Sequence, residues 1–200
     1  MLAIDTATTP GAVALRVGGE TLRRTLDRRA AFREAAPAIE RLRAEAGLDW
    51  HELGAVAVPA GPGSFTGLRV GAAMAIALAR ITRRPLCAVP TLAAVAEAFA
   101  PPGAERVCAT LDARRRRRYA ALYERAGAAR WKLLDGPLDA GPEAVDALAA
   151  GARVVAPDPG DAAGVAVAVC ALVAADSAAH ALASPGDLEL AYARPAVDER

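Results

Sequence analysis

The chain of 200 residues contains no Asn or Gln, one lysine and only two histidines, His51 and His180. Neither histidine has a neighbour at a spacing typical of a metal site. No Ser or Cys has an evident His partner for nucleophilic catalysis. Cys87, Cys108 and Cys170 are isolated, which favours packed thiols in a reducing compartment over a metal or redox motif. The composition therefore predicts neither a bound metal nor a cofactor.

Strong charge and membrane-spanning runs are also missing. The formal net charge is +1, so nothing drives the whole chain towards nucleic acid or an anionic membrane. The apolar run 162–175 is shorter than the ~20 residues that cross a bilayer. The chain enters a strand at its first residues, without the basic and apolar regions of a signal peptide. We expect a cytoplasmic protein without membrane attachment.

Apolar runs and turn signals predict a mixed sheet covered by helices in the first hundred residues. A Gly18-Gly19 pair marks a tight hairpin turn. Pro101-Pro102-Gly103 breaks the chain and is the predicted boundary between domains 1–100 and 104–200. The predicted strands are 2–4, 11–17, 20–27, 55–58 and 86–89, with helices at about 32–46, 65–80 and 92–100, the last capped by Thr91.

The second half repeats this pattern more weakly, as a smaller lobe. A strand at 106–111 ends at Asp112, much as the first strand ends at Asp5. The tail from Pro185 has no clear periodicity. The remaining predicted elements are strands 119–123, 130–134 and 153–156 and helices 142–150 and 162–175.

The stretch 60–80 organises the chain. A buried strand leads into a turn with three glycines, and Ser64 or Thr66 can cap the helix that follows. Such a helix start is a candidate anion site, because its free N–H groups point outward.

Two rows of side chains run along this helix at i, i+4 spacing. Val70, Met74 and Leu78 form a large row that can fill a core. Gly71, Ala75 and Ala79 form a small row that lets another helix approach closely. Because no charge interrupts residues 70–79, we expect burial on more than one side. The helix is either sandwiched within its own domain, or it packs one face on the sheet and the other on a partner protein.

Several motifs along the chain resemble the TsaB (YeaZ) proteins of bacterial tRNA modification. Their signature is resembled by Gly61-Pro62-Gly63-Ser64-Phe65-Thr66-Gly67-Leu68-Arg69. The family's opening strand is resembled by Ala3-Ile4-Asp5-Thr6-Ala7-Thr8, and the start of its second half by Leu111-Asp112-Ala113-Arg114-Arg115, followed by Tyr119 and Ala120. Its C-terminal Tyr-Leu-Arg is resembled by Tyr192-Ala193-Arg194, while Ala31-Phe32 replaces a family His-Ser pair.

The resemblance implies an α/β, actin-like ATPase (ribonuclease H-like) fold with two lobes, the second reduced. It implies a non-catalytic partner of the TsaD-type threonylcarbamoyltransferase, which forms N6-threonylcarbamoyladenosine next to the anticodon of tRNA. A TsaE-like ATPase would join the complex, the protein alone would form a homodimer, and tRNA would be contacted at most indirectly. The expected partner interface is Val70, Gly71, Met74, Ala75, Leu78 and Ala79.

Asp5, Thr6 and Asp112 mark a vestigial nucleotide site at the ends of two strands. An actin-like ATPase needs such carboxylates for its metal and glycine-rich loops for phosphate, but no glycines follow either aspartate. Each carboxylate could instead accept hydrogen bonds from its own turn. The alternatives are a small phosphotransferase or ATPase using both aspartates, and a nuclease. A nuclease needs three or four clustered carboxylates, and the first three strands offer only Asp5, Glu20 and Asp27.

Arg114–Arg118 is the strongest local charge in the sequence. Five arginines could contact RNA phosphates. Only Tyr119 and Tyr123 are available nearby to stack bases, however, and alternation along a strand would divide the arginines between two faces. We therefore expect a solvated turn rather than an RNA-binding strip.

Overall fold

The computed structural model describes residues 1–27, 30–161, 163–191 and 194–195. The strands are β1 (Leu2–Asp5), β2 (Ala12–Val17), β3 (Glu20–Thr25), β4 (Val56–Pro59), β5 (Leu86–Val89), β6 (Arg106–Arg114), β7 (Arg117–Gly127), β8 (Arg130–Ala140), β9 (Arg153–Val155) and β10 (Arg194–Pro195). The helices are α1 (Ala31–Glu45), α2 (Phe65–Thr82), α3 (Thr91–Phe99), α4 (Pro142–Ala149), α5 (Gly164–Ala175) and the single turn α6 (Ser177–His180). Short 3₁₀ turns lie at Trp50–Glu52, Pro159–Asp161 and Pro185–Asp187.

The first lobe is a five-stranded sheet of order β3-β2-β1-β4-β5. Strand β1 is antiparallel to β2 and parallel to β4, so the sheet is mixed. Gly18 and Gly19 have φ angles of +57° and +94°, which the tight β2–β3 turn requires. Alternation places Leu2 and Ile4 against α1 and α2 on one face, while Ala3 faces α5 on the other.

The second lobe is a five-stranded sheet of order β10-β8-β7-β6-β9, with α4 on one face. Strands β7 and β8 are longer than the predicted strands 119–123 and 130–134. Their hairpin continues past the apolar residues that the prediction was based on, into polar residues such as Arg117, Glu124 and Asp139 that are only partly exposed. The tail from Pro185, for which no element was predicted, contains a 3₁₀ turn and β10, which pairs in parallel with β8.

Helices α3 and α5 lie between the two sheets. Helix α3 packs on β6, β7 and β8, whereas α5 packs on β1, β2 and β4. One continuous buried cluster therefore includes residues of both lobes, among them Ala3, Val107 and Val169. The predicted α/β architecture of two mixed sheets covered by helices is confirmed. The division into domains 1–100 and 104–200 stays a prediction, because each segment contributes a helix to the other segment's sheet.

Candidate functional site

The glycine-rich signature, residues 61–69, lies between the turn that follows β1 (residues 6–11, the β1 turn) and the C-terminal segment at Ala191. A Cβ atom on Gly67 would lie 1.8 Å from the carbonyl oxygen of Thr6, and the Thr6 hydroxyl donates to the Gly67 carbonyl at 2.6 Å. Gly61 has a φ of +113°, and a Cβ there would lie 2.1 Å from the Ala191 carbonyl oxygen. Glycine at these two positions lets three chain segments meet.

Helix α2 begins directly after this contact. The Ser64 hydroxyl accepts from the Gly67 N–H at 3.3 Å, so Ser64 is the N-cap of the two predicted candidates. The Ser64 N–H donates to the Ala7 carbonyl at 2.8 Å and ties the cap to the β1 turn. Thr66 lies in the first helical turn and is exposed.

Asp5 is fully buried at the end of β1. Its carboxylate accepts the N–H groups of Ala7 at 2.9 Å and Thr8 at 3.0 Å, and also accepts the Thr8 hydroxyl. Burial raises the pKa of Asp5, while the hydrogen bonds from Thr8 and Ala7 oppose that shift. Asp5 thus follows the alternative in which the carboxylate accepts hydrogen bonds from its own turn.

A cleft of about 500 Å³ separates the β1 turn and the signature from the β6–β7 turn of the second lobe. Asp112, Thr8 and Thr66 line it, but Asp5 does not. Asp112 is exposed and accepts the Arg114 N–H at 2.8 Å. The residues of the predicted vestigial nucleotide site therefore do not fit a metal–nucleotide complex, because the buried carboxylate is already engaged. Across the described ranges, no three His, Cys, Asp or Glu side chains are grouped so that they could hold a metal ion.

The arginine run forms the β6–β7 turn and divides into two parts. Arg114, Arg115 and Arg116 have φ angles of +71°, +52° and +62° and are exposed at the tip. Arg117 returns to the protein, where its Nε donates to Asp139 Oδ1 at 2.7 Å. Arg118 donates to the Thr110 hydroxyl at 2.8 Å and lines the cleft. The solvated turn that we expected describes the tip, but not the last two arginines.

The two rows on α2 have roles opposite to those expected. Ala75 is 0% exposed and Ala79 is 1% exposed, both within the core between α2 and the first sheet. A Cβ on Gly71 would lie 2.6 Å from the Thr6 hydroxyl oxygen. The small row therefore lets α2 approach its own sheet, which leaves it no surface for a partner helix. The large row of Val70, Met74 and Leu78 is only half-buried, at the flank of the helix.

A third row, which lies outside the predicted partner interface, forms the outer face of α2. This outer row is Phe65, Arg69, Ala73, Ala77 and Ile81, spaced four residues apart and exposed throughout. Phe65 is 58% exposed and Ile81 is 78% exposed. The Arg69 guanidinium lies 5.3 Å from the centre of the Phe65 ring. The i, i+4 spacing was the available signal for this row.

By length and composition alone, α2 also meets the requirement for crossing a membrane, and no other helix of the described residues does. Core helices of globular proteins pass the same test. Here the row of Gly71, Ala75 and Ala79 is packed on the protein's own sheet, as in such a core helix.

Comparison with known proteins assigns this arrangement to a family. The model of TsaD, described as tRNA N6-adenosine threonylcarbamoyltransferase, matches residues 27–158, more than half of the chain. The TsaB protein of Haemophilus influenzae is 40% identical over 57% of this chain and 49% of its own length. That of Escherichia coli is 37% identical over 62% of this chain and 55% of its own length. Both are named as tRNA threonylcarbamoyladenosine biosynthesis proteins.

The solved structure of YeaZ from Pseudomonas aeruginosa superposes with a TM-score of 0.75 at 27% identity, over 96% of this chain and 98% of that one. The chain belongs to the TsaB (YeaZ) branch of the TsaD-type family. The predicted actin-like, ribonuclease H-like fold is thereby confirmed. The sequence matches span about half the length of the two curated TsaB relatives.

Two departures from the TsaB pattern lie in different parts of the molecule. Phe32, which with Ala31 replaces the family's His-Ser pair, is exposed in the first turn of α1. It places an aromatic ring on the surface where the family has a polar pair. Tyr192 and Ala193 lie outside the described residues, while Arg194 begins β10.

Proposed function

We propose that this protein is a non-catalytic partner of a TsaD-type transferase that forms N6-threonylcarbamoyladenosine next to the anticodon of tRNA. The names of its TsaB relatives support the pathway. The observation that supports a partner role is the outer face of α2, where a row of small and apolar residues with one arginine remains exposed. A TsaE-like ATPase as a further partner, a homodimer in the absence of TsaD, and a cytoplasmic location without membrane attachment belong to the same proposal.

The outer row has the composition of a helix–helix contact. Ala73 and Ala77 sit at its centre and let a partner helix approach to ~8–10 Å between axes. Phe65 and Ile81 provide large apolar side chains at its two ends. The half-buried Val70, Met74 and Leu78 widen the same surface. Exposed apolar side chains that form one continuous strip typically mark an interaction site, whereas isolated ones do not.

The cleft favours a partner over an enzyme. Asp5 is sealed beneath its turn, so a phosphotransferase using both Asp5 and Asp112 lacks one of its two carboxylates. A nuclease would need a cluster of carboxylates, and the part of the chain that the structure describes holds none. In the first sheet, Ala12 pairs with Asp5 on one side and with Thr25 on the other. Glu20 lies five residues from Thr25 along β3. Five strand residues span about 16 Å. We therefore assign the chemistry to the TsaD-type subunit, with tRNA contacted at most indirectly by this chain.

Co-purification with the TsaD-type protein of the same cell tests the proposal. We expect a stable complex from the wild-type chain and a strongly weakened one from Ala77→Glu, because a charge would enter the desolvated contact. Ala147→Glu, the same substitution at an exposed position of α4 in the second lobe, is the matched control and should bind normally. A wild-type chain that recovers no TsaD-type protein, or equal binding by both variants, would contradict the proposal.

A further inference from the structure

A second cavity, of about 490 Å³, lies between the lobes and shares no lining residue with the cleft. Its walls are mainly apolar and include Pro62 of the signature, Pro90, Trp131 of β8 and Leu172 of α5. Its volume falls within the ~300–1,000 Å³ of small-molecule sites. Its lining residues, as far as the structure describes them, include none of the outer row of α2.

Tyr123 brings a polar group into this apolar cavity. The residue lies in β7, lines the cavity and is only 4% exposed. Its hydroxyl makes no hydrogen bond to any part of the chain that the structure describes. The hydroxyl is not among the buried polar atoms that lack a partner, so it can be reached by a ligand, and tyrosine hydroxyls in apolar surroundings usually find a hydrogen-bond partner. Desolvation raises the pKa of Tyr123, so the phenol stays neutral and can donate a hydrogen bond.

Trp131 forms a fixed aromatic wall beside Tyr123. Its indole Nε1 donates to Glu97 Oε2 at 2.8 Å, and the Arg125 guanidinium lies 4.2 Å from the centre of its ring. These contacts hold the ring on both an edge and a face. A rigid aromatic wall favours a flat ligand, because the ring is already fixed and stacking on it costs little further conformational entropy.

The rim of the cavity is positively charged. Lys132, the only lysine of the chain, is exposed there and has no ion-pair partner among the described residues. The neighbouring Arg130 is balanced by Asp176, at 3.3 Å. His180 contacts the Ala88 carbonyl through Nδ1 at 3.2 Å, which leaves Nε2 for another contact. The surplus charge at the rim therefore comes from Lys132, and it complements an anion.

We propose that this cavity binds a small organic anion with a flat apolar body. The body lies against Trp131 and the proline and leucine walls. An acceptor atom of the ligand takes the hydrogen bond from the Tyr123 hydroxyl, and its anionic group lies near Lys132 at the rim. The site does not depend on the partner role of α2.

The fluorescent anion 8-anilinonaphthalene-1-sulfonate is a suitable probe, measured by its own emission and by energy transfer from Trp131 in a Trp50→Phe background. We expect saturable binding at one site. Tyr123→Phe, which keeps the ring, should weaken binding about 5- to 10-fold, as for one lost hydrogen bond. Lys132→Met should weaken it and reduce its salt dependence. Tyr119→Phe, which removes a hydroxyl from the separate cleft, is the control and should bind as the background does.

Each variant must keep its thermal unfolding transition, since loosely packed states also bind this dye. Absence of saturable binding would overturn the proposal. It would also be overturned if Tyr123→Phe and Lys132→Met bound like the control, or if uncharged N-phenyl-1-naphthylamine bound as tightly as the sulfonate. The proposal would also be overturned if a partner protein displaced the probe equally from the wild-type chain and from Lys132→Met, because the cavity would then be a docking groove for a peptide.

Discussion

Replacing Ala75 and Ala77 of α2 by glutamate, one at a time, separates folding from partner binding. Ala75 is 0% exposed in the core of the first lobe. Ala75→Glu places an unpaired carboxyl group there, at a cost of about 3–5 kcal/mol, and overpacks the site by about 1–3 kcal/mol more. Domains of this kind are stable by about 5–15 kcal/mol. We therefore expect the melting temperature to fall by about 8–30 °C.

Ala77 lies two residues further along the helix and is exposed. A surface substitution of this type changes the free energy of unfolding by about 0.5 kcal/mol or less. If Ala77 meets a TsaD-type partner, however, the glutamate enters a desolvated contact. A loss of about 3 kcal/mol there corresponds to roughly a 100-fold weaker complex. The two substitutions therefore have opposite expected effects, although their chemistry is identical.

The assay combines thermal unfolding of the dilute protein with titration of the TsaD-type partner. Dilution matters because a homodimer would make the melting temperature depend on concentration. Ala75→Glu with a wild-type melting temperature would refute the packing of the small row on the sheet. Ala77→Glu with a wild-type melting temperature and undiminished partner affinity would refute the outer row as the interface.

Three further changes test the loops around the cleft. Thr8→Val removes a hydrogen bond to the buried carboxylate of Asp5 and should cost about 1.5–3 kcal/mol near neutral pH, measured by chemical unfolding. Because folding raises the pKa of Asp5, the stability that this group contributes is present below its unfolded pKa and is lost as pH rises through its folded pKa. Thr8→Val raises the folded pKa further. The difference in unfolding free energy between the variant and the wild type should therefore grow with pH. Gly67→Ala should unfold the chain or lower its melting temperature sharply, because the new methyl group meets a backbone carbonyl. Arg115→Ser, at the exposed hairpin tip, should leave stability and the tRNA affinity of the assembled complex unchanged.

Matched variants give each of these tests a contradicting outcome. Thr9→Val, an exposed neighbour, should be neutral at every pH, and an equal deficit in both threonine variants would contradict the hydrogen-bond account. Gly54→Ala adds a methyl group into open space, so it should be tolerated where Gly67→Ala is not. For the hairpin tip, the slope of log K for tRNA binding against log salt concentration is measured. A slope smaller by about 0.9 in Arg115→Ser would show that Arg115 contacts a phosphate.

Glycine and proline positions in the sequence predicted those elements whose ends are set by these same residues. The Gly18-Gly19 turn and the strand between Pro85 and Pro90 lie where the sequence places them. Thr91 shows the limit of such reasoning. It begins α3, but its hydroxyl accepts the Gly61 N–H at 3.0 Å instead of capping the helix. A side chain suited to a cap is equally suited to a distant loop, and only the packed structure decides between them.

The site was harder to predict, because periodicity identifies a row of side chains without identifying what the row faces. Gly71 and Ala75 allow close approach by a helix or by a sheet alike. Helix α3 of the first segment packs on the second sheet, and α5 of the second segment packs on the first sheet. No local pattern in either segment encodes this long-range arrangement. Asp5 at a strand end was found from sequence, but whether its oxygens were free depended on the Thr8 hydroxyl three residues later.

The hydrogen bonds of the signature show how a glycine-rich loop at a helix start is fixed in place. The N–H groups of Gly61, Ser64 and Gly67 all donate to acceptors within the protein. No such bond is made to the described residues by the N–H groups of Gly63 and Thr66, which line the cleft, so an anion at this helix start stays a prediction. Gly61 joins the loop to α3, and Gly67 fixes it against Thr6. The signature therefore sets the position of α2, and the surface that this presents to other molecules is the outer face of that helix.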